Sequence, residues 1–137
     1  DAGTYEIKYA IDNYKQGKYY IYANLKREDY LALLKYCRCI VGNSSSGLLE
    51  APVFRTAAVN IGRRQDHRYR GNNVIDVNFS EGEIIDAVKK AMSKEFREYL
   101  LKNVDYPYGD GHSSEKVLKL LMETKSDERL LVKQLTY

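Results

Sequence analysis

The sequence predicts an α/β protein built around a mainly parallel sheet, and three observations carry that prediction. Segments with helical and strand-like spacing alternate along most of the chain, the pattern of layered sheets with crossover helices. The strand-like runs are short, apolar and bounded by turn residues, as strands covered on both faces are. Finally, Cys39-Ile40-Val41 runs directly into Gly42-Asn43-Ser44-Ser45-Ser46-Gly47 and then into an amphipathic stretch. Strand, small hydroxyl residues, then helix is how such a sheet builds an anion pocket from backbone N–H groups.

Residues 4–16 carry Ile7, Ala10, Ile11 and Tyr14 at helical spacing, and Gly17 stands where a helix ends. Tyr19 to Ala23 is β-prone and is the first expected strand. Helical spacing returns over 27–37 through Tyr30, Leu33, Leu34 and Cys37, and Cys39 to Val41 is expected as a strand buried on both faces. Ser45 to Phe54 is expected as a short helix that Pro52 bends or ends, because an interior proline removes a backbone bond and clashes with the preceding turn. Ala57 to Ile61 is a third strand, residues 62–73 form a polar, basic loop, and Val74 to Val77 is a fourth strand. Ser80-Glu81-Gly82-Glu83 reads as a capping box opening a helix with Ile84, Ile85, Val88 and Ala91. A helix from about Lys94 uses Phe96, Tyr99 and Leu100. Tyr106-Pro107-Tyr108-Gly109-Asp110-Gly111 is a turn-rich loop, and His112 or Ser113 caps a last helix with Val117, Leu118 and Leu121. Residues 1–124 are expected as one domain and the charged residues 125–137 as a mobile tail.

With 137 residues, 44% hydrophobic and 30% charged, the chain is long enough for one domain with a core. No apolar run approaches the ~20 residues of a membrane-spanning helix and no secretory leader is visible, so a cytoplasmic protein without membrane contacts is expected. The opening Asp1-Ala2-Gly3, without methionine, reads as a processed chain or a fragment. Cys37 and Cys39 lack the further ligands of a zinc site and read as reduced thiols; no metal or cofactor is expected. The net charge of +3 is mild and its basic cluster, Arg63, Arg64, Arg68 and Arg70 around His67, comes without a nucleic-acid motif. A small anion suits it better, with a solvated surface loop as the alternative. Thirteen tyrosines and no tryptophan read as packing residues.

Ligands of parallel sheets bind at the C-terminal ends of the strands. Three expected loops converge there: Asn24 to Arg27, Gly42 to Gly47 and Gly62 to Arg70. In the second, small side chains admit an anion and the serines add donors. Neither a Gly-x-x-x-x-Gly-Lys nor a Gly-x-Gly-x-x-Gly pattern is present. Ser44 or Ser45 serving only as a helix N-cap is the competing reading. Glu50, a turn further on, suits the paired hydroxyls of a ribose or is an ordinary surface glutamate. Gly62 permits a sharp exit from its strand, after which an arginine reaches toward a diphosphate. His67 could carry a proton near neutrality, and His112 sits at a helix cap. Neither has a triad partner in sequence, which favours surface or capping roles.

Taken together, these residues resemble the C-terminal half of UDP-N-acetylglucosamine 2-epimerases, most closely the hydrolysing type of sialic-acid and related pathways. The carriers are Asp1-Ala2-Gly3, Val41-Gly42-Asn43-Ser44-Ser45-Ser46-Gly47, Glu50-Ala51-Pro52, Asn60-Ile61-Gly62 with Arg64-Gln65, Asn73-Val74-Ile75 and Tyr108-Gly109-Asp110-Gly111. The resemblance implies a Rossmann-like three-layer domain, the partial C-terminal lobe of a two-lobed GT-B-like fold with the sugar nucleotide in its cleft. It implies that Ser44, Ser45 and Ser46, with the backbone to Gly47, hold the diphosphate. Glu50 would hold the ribose hydroxyls, Arg64 would lie beside the phosphates, and the backbone near Asn24 and Leu25 would pair with the uracil edge. Family chemistry removes the C2 proton of the sugar and eliminates UDP. The N-terminal half, with most of the family's acids and bases, is absent, so no catalytic residue is assigned and the fragment alone is expected to be inactive. The partners implied are UDP-N-acetylglucosamine and the missing half, and an unpaired strand edge favours homo-oligomers. Val53-Phe54-Arg55-Thr56-Ala57 departs from the family, which usually has glycine and proline there. Two other readings stand beside this one: half of another nucleotide-sugar glycosyltransferase, and a nucleotide-binding module without chemistry.

Overall fold

The computed structural model describes residues 3–13 and 19–124. Asp1-Ala2, Tyr14, Gly17 and the expected tail lie outside the described residues. In chain order the elements are α1 (Thr4–Asn13), α2 (Arg27–Tyr36), β1 (Cys39–Gly42), α3 (Ser46–Leu49), a 3-10 helix (Ala51–Phe54), β2 (Ala57–Ile61), β3 (Val74–Val77), α4 (Glu81–Met92), α5 (Lys94–Asn103) and α6 (Ser113–Glu123).

The three strands form one parallel sheet in the order β1-β2-β3, with Ala58 opposite Ile40 and Val74. β2 is central and nearly all buried, which explains why Ala57-Ala58-Val59 carries no polar residue. One sheet face presents Ala57 and Val59 to Ala87 and Ala91 of α4 and Leu100 of α5, with Ile75, Val77 and Phe96 at the margin. The two alanines of α4 let that helix lie close to the strand. The other face carries Ala58, covered by α3, the 3-10 helix and α2. A Cβ on Gly47 would stand 3.1 Å from the Ala58 Cβ, so glycine sets how closely α3 approaches the sheet.

The α/β class and the parallel sheet are as expected, and several local expectations change. Residues 19–23 join no strand and their side chains are exposed, because β-prone residues form a strand only where a ladder receives them. β1 is an edge among the described residues: Cys39 packs against the core on the α4 side and Ile40 is half-buried toward α3, but Val41 is exposed, so the apolar run is only partly covered. The helix expected over 45–54 is two pieces: one α-turn ending at Leu49, then a 3-10 turn holding Pro52 near its start, where a missing N–H does no harm. The capping box does not close. Glu83 Oε2 instead accepts from the backbone and side-chain N–H groups of Asn78, at 3.0 and 3.2 Å. α5 gains an unforeseen cap, with Ser93 Oγ accepting from Phe96 N at 3.1 Å. In α4 the buried stripe runs through Ala87 and Ala91 while Ile85 is exposed. Val117, Leu118 and Leu121 of α6 are exposed, as are ten of the tyrosines read as packing residues: Tyr5, Tyr9, Tyr19, Tyr20, Tyr22, Tyr36, Tyr69, Tyr99, Tyr106 and Tyr108. No helix of the described residues is long and apolar enough to cross a membrane.

Two adjacent asparagines fasten the layers. Asn73 is 0% exposed and its Nδ2 donates to Gly47 O and Thr56 O, both at 3.1 Å. Asn72 donates to Asn103 O at 2.6 Å and accepts from Asp105 N at 2.9 Å, fixing the end of α5. Thr56 Oγ1 donates to Leu34 O at 2.8 Å and so ties α2 to the start of β2. Arg55, within the segment that departs from the family's usual glycine- and proline-containing stretch, adopts φ 57° and ψ 31°, the left-handed conformation that closes the 3-10 helix.

Asn73→Ala should lower stability by about 2–4 kcal/mol, because two buried carbonyls lose their donor; urea unfolding with an unchanged m-value checks this. Arg55→Gly should raise stability by about 0.5–1 kcal/mol by relieving the left-handed penalty, read as a higher melting temperature. An unchanged or lower melting temperature would show that Arg55 is not strained.

Candidate functional site

The site grows from the C-terminal end of β1. Gly42 leaves the sheet, Asn43 and Ser44 turn the chain, and Ser45 starts α3. The turn consumes some of its own donors. Ser46 N donates to Ser44 Oγ (3.3 Å), Gly47 N to Ser44 O (3.3 Å) and Leu48 N to Ser45 O (3.0 Å). Ser45 occupies the N-cap position, yet its side chain makes no capping bond. The amides of Ser44 and Ser45 are not among these bonds, and both hydroxyls lie at the sheet's C-terminal edge. α3 is a single turn, so its dipole is small and any anion here must be held by individual donors.

The second strand's exit is tied to this turn. Gly62 takes φ 74° directly after β2, and a Cβ there would strike the Phe79 ring at 2.5 Å. Two residues later Arg64 Nη1 comes within 3.4 Å of Asn43 Oδ1, and Gln65 Nε2 donates to Asn43 O at 2.7 Å. Asn43 therefore joins the serine turn to the arginine loop. Between the turn and β2 lies a cavity of about 260 Å³, floored by Gly47, Ala58 and Asn60. Asn60 donates to Asp76 Oδ1 at 2.7 Å. Its own Oδ1, and that of Gln65 (Oε1), are buried without a partner among the described residues.

Glu50 sits just past α3 and is engaged on both oxygens. Ser46 Oγ donates to Oε2 at 2.5 Å, and Arg27 of α2 pairs with Oε1 at 2.8 Å. Tyr30, also on α2, donates its hydroxyl to Ser46 Oγ at 2.6 Å. A carboxylate only accepts, so Ser46 gives its one proton to Glu50 and receives from Tyr30. These contacts hold the Glu50 carboxyl below the usual range: the Ser46 hydrogen bond contributes most, partial burial opposes it, and the Arg27 hydrogen bond and charge add to the lowering. The Arg27 side chain is 73% exposed, so its share is screened by water.

The remaining predicted residues are placed as follows. Leu25 lines an apolar groove of about 290 Å³ with Tyr30, Leu33 and Ile40, and Asn24 is exposed just before it. Of the basic cluster, Arg70 is spent internally, on Asp76 at 2.8 Å and Asp66 at 3.5 Å. Arg63, Arg64 and Arg68 are exposed. His67 is exposed in a left-handed turn (φ 64°), and His112 lies 3.2 Å from Glu115 at the start of α6. Asp110, between the glycines of the Tyr-Gly-Asp-Gly stretch, accepts from His112 N and Lys116 Nζ, a local brace for α6 that keeps its carboxyl below the usual range. Burial raises both cysteine thiols, which disfavours thiolate chemistry. No group of three His, Cys, Asp or Glu residues among the described residues is arranged to hold a metal ion. Tyr30, Arg27, Asn43 and Gln65 were not singled out from sequence for these contacts. The signals were a tyrosine on the inner face of α2, and polar side chains next to the serine and arginine motifs.

Comparison with known proteins adds a family to this geometry. The sequence model described as UDP-N-acetylglucosamine 2-epimerase matches residues 1–122. A UDP-N-acetylglucosamine 2-epimerase of Neisseria meningitidis is 33% identical over 93 residues, 68% of this chain and 25% of the relative. The polysialic acid biosynthesis protein P7 of Escherichia coli is 41% identical over 91 residues, 66% of this chain and 22% of the relative. A hydrolysing UDP-N,N'-diacetylbacillosamine 2-epimerase of Legionella pneumophila is 33% identical over 134 residues, 97% of this chain and 34% of the relative. The chain thus spans between about a fifth and a third of the length of these relatives.

Because the folded Glu50 carboxyl is lowered, its contacts stabilise the fold above the unfolded value of ~4.3 and are lost as pH falls through the folded value. Melting temperature measured from pH 6 to pH 3 should therefore fall less steeply in Glu50→Gln than in the parent chain; identical slopes would mean that the carboxylate's partners contribute nothing.

Proposed function

Because the chain belongs to the UDP-N-acetylglucosamine 2-epimerase family, we propose that it is the UDP-holding part of a hydrolysing UDP-N-acetylglucosamine 2-epimerase. The observation that carries this reading is the joining of the serine turn to Arg64-Gln65 through Asn43, with an ionised Glu50 one turn further on. In this reading the Ser44 and Ser45 hydroxyls and the backbone amides of these two residues take the diphosphate, the amides of Ser46 and Gly47 being committed within the turn, and Arg64 supplies the neighbouring charge. Glu50 takes the ribose hydroxyls. The backbone at Asn24 and Leu25 takes the uracil edge, beside the groove that Leu25 lines. Ser46, the remaining serine of the predicted set, serves indirectly, since its proton is committed to Glu50.

The chemistry assigned to these residues is leaving-group stabilisation. Proton removal at C2 of the sugar and elimination across C1–C2 leave negative charge on the departing UDP. Donors already aimed at its phosphates lower that barrier without reorganising. The acid and base that move the C2 proton come from the rest of the enzyme, the portion of the relatives' length that this chain does not span. The exposed apolar side chains of α6, such as Leu118 and Leu121, are surfaces for that remainder to cover. The hydrolysing outcome is supported by the likeness to the Legionella relative, a hydrolysing 2-epimerase; with UDP-N-acetylglucosamine as substrate that outcome would give N-acetylmannosamine and UDP.

Calorimetric titration with UDP tests the site. Binding to the folded chain should weaken about 5–30-fold in Ser45→Ala and in Glu50→Ala, the loss of one charge-assisted hydrogen bond each. A folded chain that ignores UDP would sink the proposal. Incubation with UDP-N-acetylglucosamine should release no N-acetylmannosamine; turnover would mean that this chain holds its own acid and base.

A further inference from the structure

Glu50 is useful to a ribose only if its carboxylate is held still, ionised and partly unoccupied. The structure meets all three conditions through α2. Glu50 follows a one-turn helix, and a glutamate there has three rotatable bonds. Ser46, four residues earlier, fixes one oxygen at 2.5 Å. A serine hydroxyl alone rotates freely and has another acceptor available, the backbone of its own turn. The Tyr30 hydroxyl removes that freedom. By donating to Ser46 Oγ at 2.6 Å it occupies a lone pair and directs the only Ser46 proton to Glu50.

The phenol itself is aimed from a rigid element. Leu34, one turn after Tyr30, is buried, and Leu34 O is held by Thr56 Oγ1 at 2.8 Å. The Tyr30 ring also lines the apolar groove shared with Leu25. Arg27 reaches the other oxygen of Glu50 from the same helix, but its side chain is largely in water and its hold is correspondingly weak. Each carboxylate oxygen accepts about two hydrogen bonds, so roughly one site on each remains for a pair of adjacent hydroxyls.

We infer that Tyr30 is a positioning residue, which through Ser46 sets the Glu50 carboxylate for a vicinal diol and so makes the site prefer ribonucleotides. The inference rests on the reading of Glu50 as the ribose acceptor. It is tested on the full chain with two probes, UDP and 2',3'-dideoxy-UDP. The parent chain should bind UDP about 10–30-fold more tightly than the dideoxy compound. Tyr30→Phe should cut that ratio to about 3 or less while dideoxy-UDP affinity stays within about 2-fold, and Ser46→Ala should do the same. A Tyr30→Phe chain that keeps the parent ratio, or loses both ligands equally, overturns the inference. A parent chain that binds neither probe removes the proposed nucleotide site and the inference with it, whereas UDP binding with an unchanged preference removes the inference alone. The carbon NMR signal of the Glu50 carboxyl provides a ligand-independent check. Its titration midpoint should rise in Tyr30→Phe and in Ser46→Ala, and an unmoved midpoint would show that no relay exists.

Discussion

The buried amide of Asn73 is the constraint on which the rest of this structure depends. Removing a side-chain amide from water costs several kcal/mol unless its hydrogen bonds are replaced, so Asn73 must find partners wherever the chain puts it. It finds two backbone carbonyls, Gly47 O in the one-turn α3 and Thr56 O at the entry to β2. Its backbone carbonyl accepts Ala58 N at 2.8 Å, while its side-chain Oδ1 is buried without a partner among the described residues, so only the NH2 half of the amide is satisfied. One residue thus fixes β3 against β2 and both against α3. Its neighbour Asn72 does the same for the far layer through α5. The fit is close on its remaining side: a Cβ on Gly71 would approach Asn73 Oδ1 to 3.0 Å. With α3 held in this way, the turn before it and Glu50 after it have little freedom left.

The polar groups around that turn form a directed set. Tyr30 donates to Ser46, and Ser46 donates to Glu50. Asn43 accepts from both Arg64 and Gln65. These bonds leave the Ser44 and Ser45 hydroxyls facing the edge and the arginines of the following loop beside them. The arrangement suits an anion that arrives carrying hydroxyls: donors on one side, a carboxylate acceptor on the other. A protein that only had to cap a one-turn helix would not need a carboxylate braced from a second helix.

The three strands of the sheet were legible because each is a short apolar run closed by a turn residue, and burial and periodicity agree in β2. Failures arose where a pattern has more than one physical outcome. Tyr19-Tyr20-Ile21-Tyr22 has strand-forming side chains but no ladder to join. Ser80 and Glu83 have capping-box spacing, and the side chain and amide of Asn78 compete successfully for the carboxylate. Leu118 and Leu121 have helical spacing, which fixes a helix without saying what covers it. At the candidate site the serine, glutamate and arginine positions could be proposed from their order in the chain. The bonds among Tyr30, Ser46 and Glu50 could not, because they join α2 to α3 across 16 residues and depend on the angle between the two helices. Asn73 was legible only as part of a resemblance; nothing in its neighbours announces a side chain with zero exposure.

The Asn73 bonds also order the assembly of the molecule in time. They join residues 17 and 26 apart in sequence, and they form only when β3 docks on β2. β1, α3 and β2 are close in sequence and can meet early, since short loops close at little entropic expense. At that stage α3 has met the sheet through Gly47 and Ala58 but lacks the amide that fastens its carbonyl. On this order of contacts the serine turn acquires its final shape with the last strand, and the docking of β3, which lends no side chain to the proposed diphosphate seat, completes it.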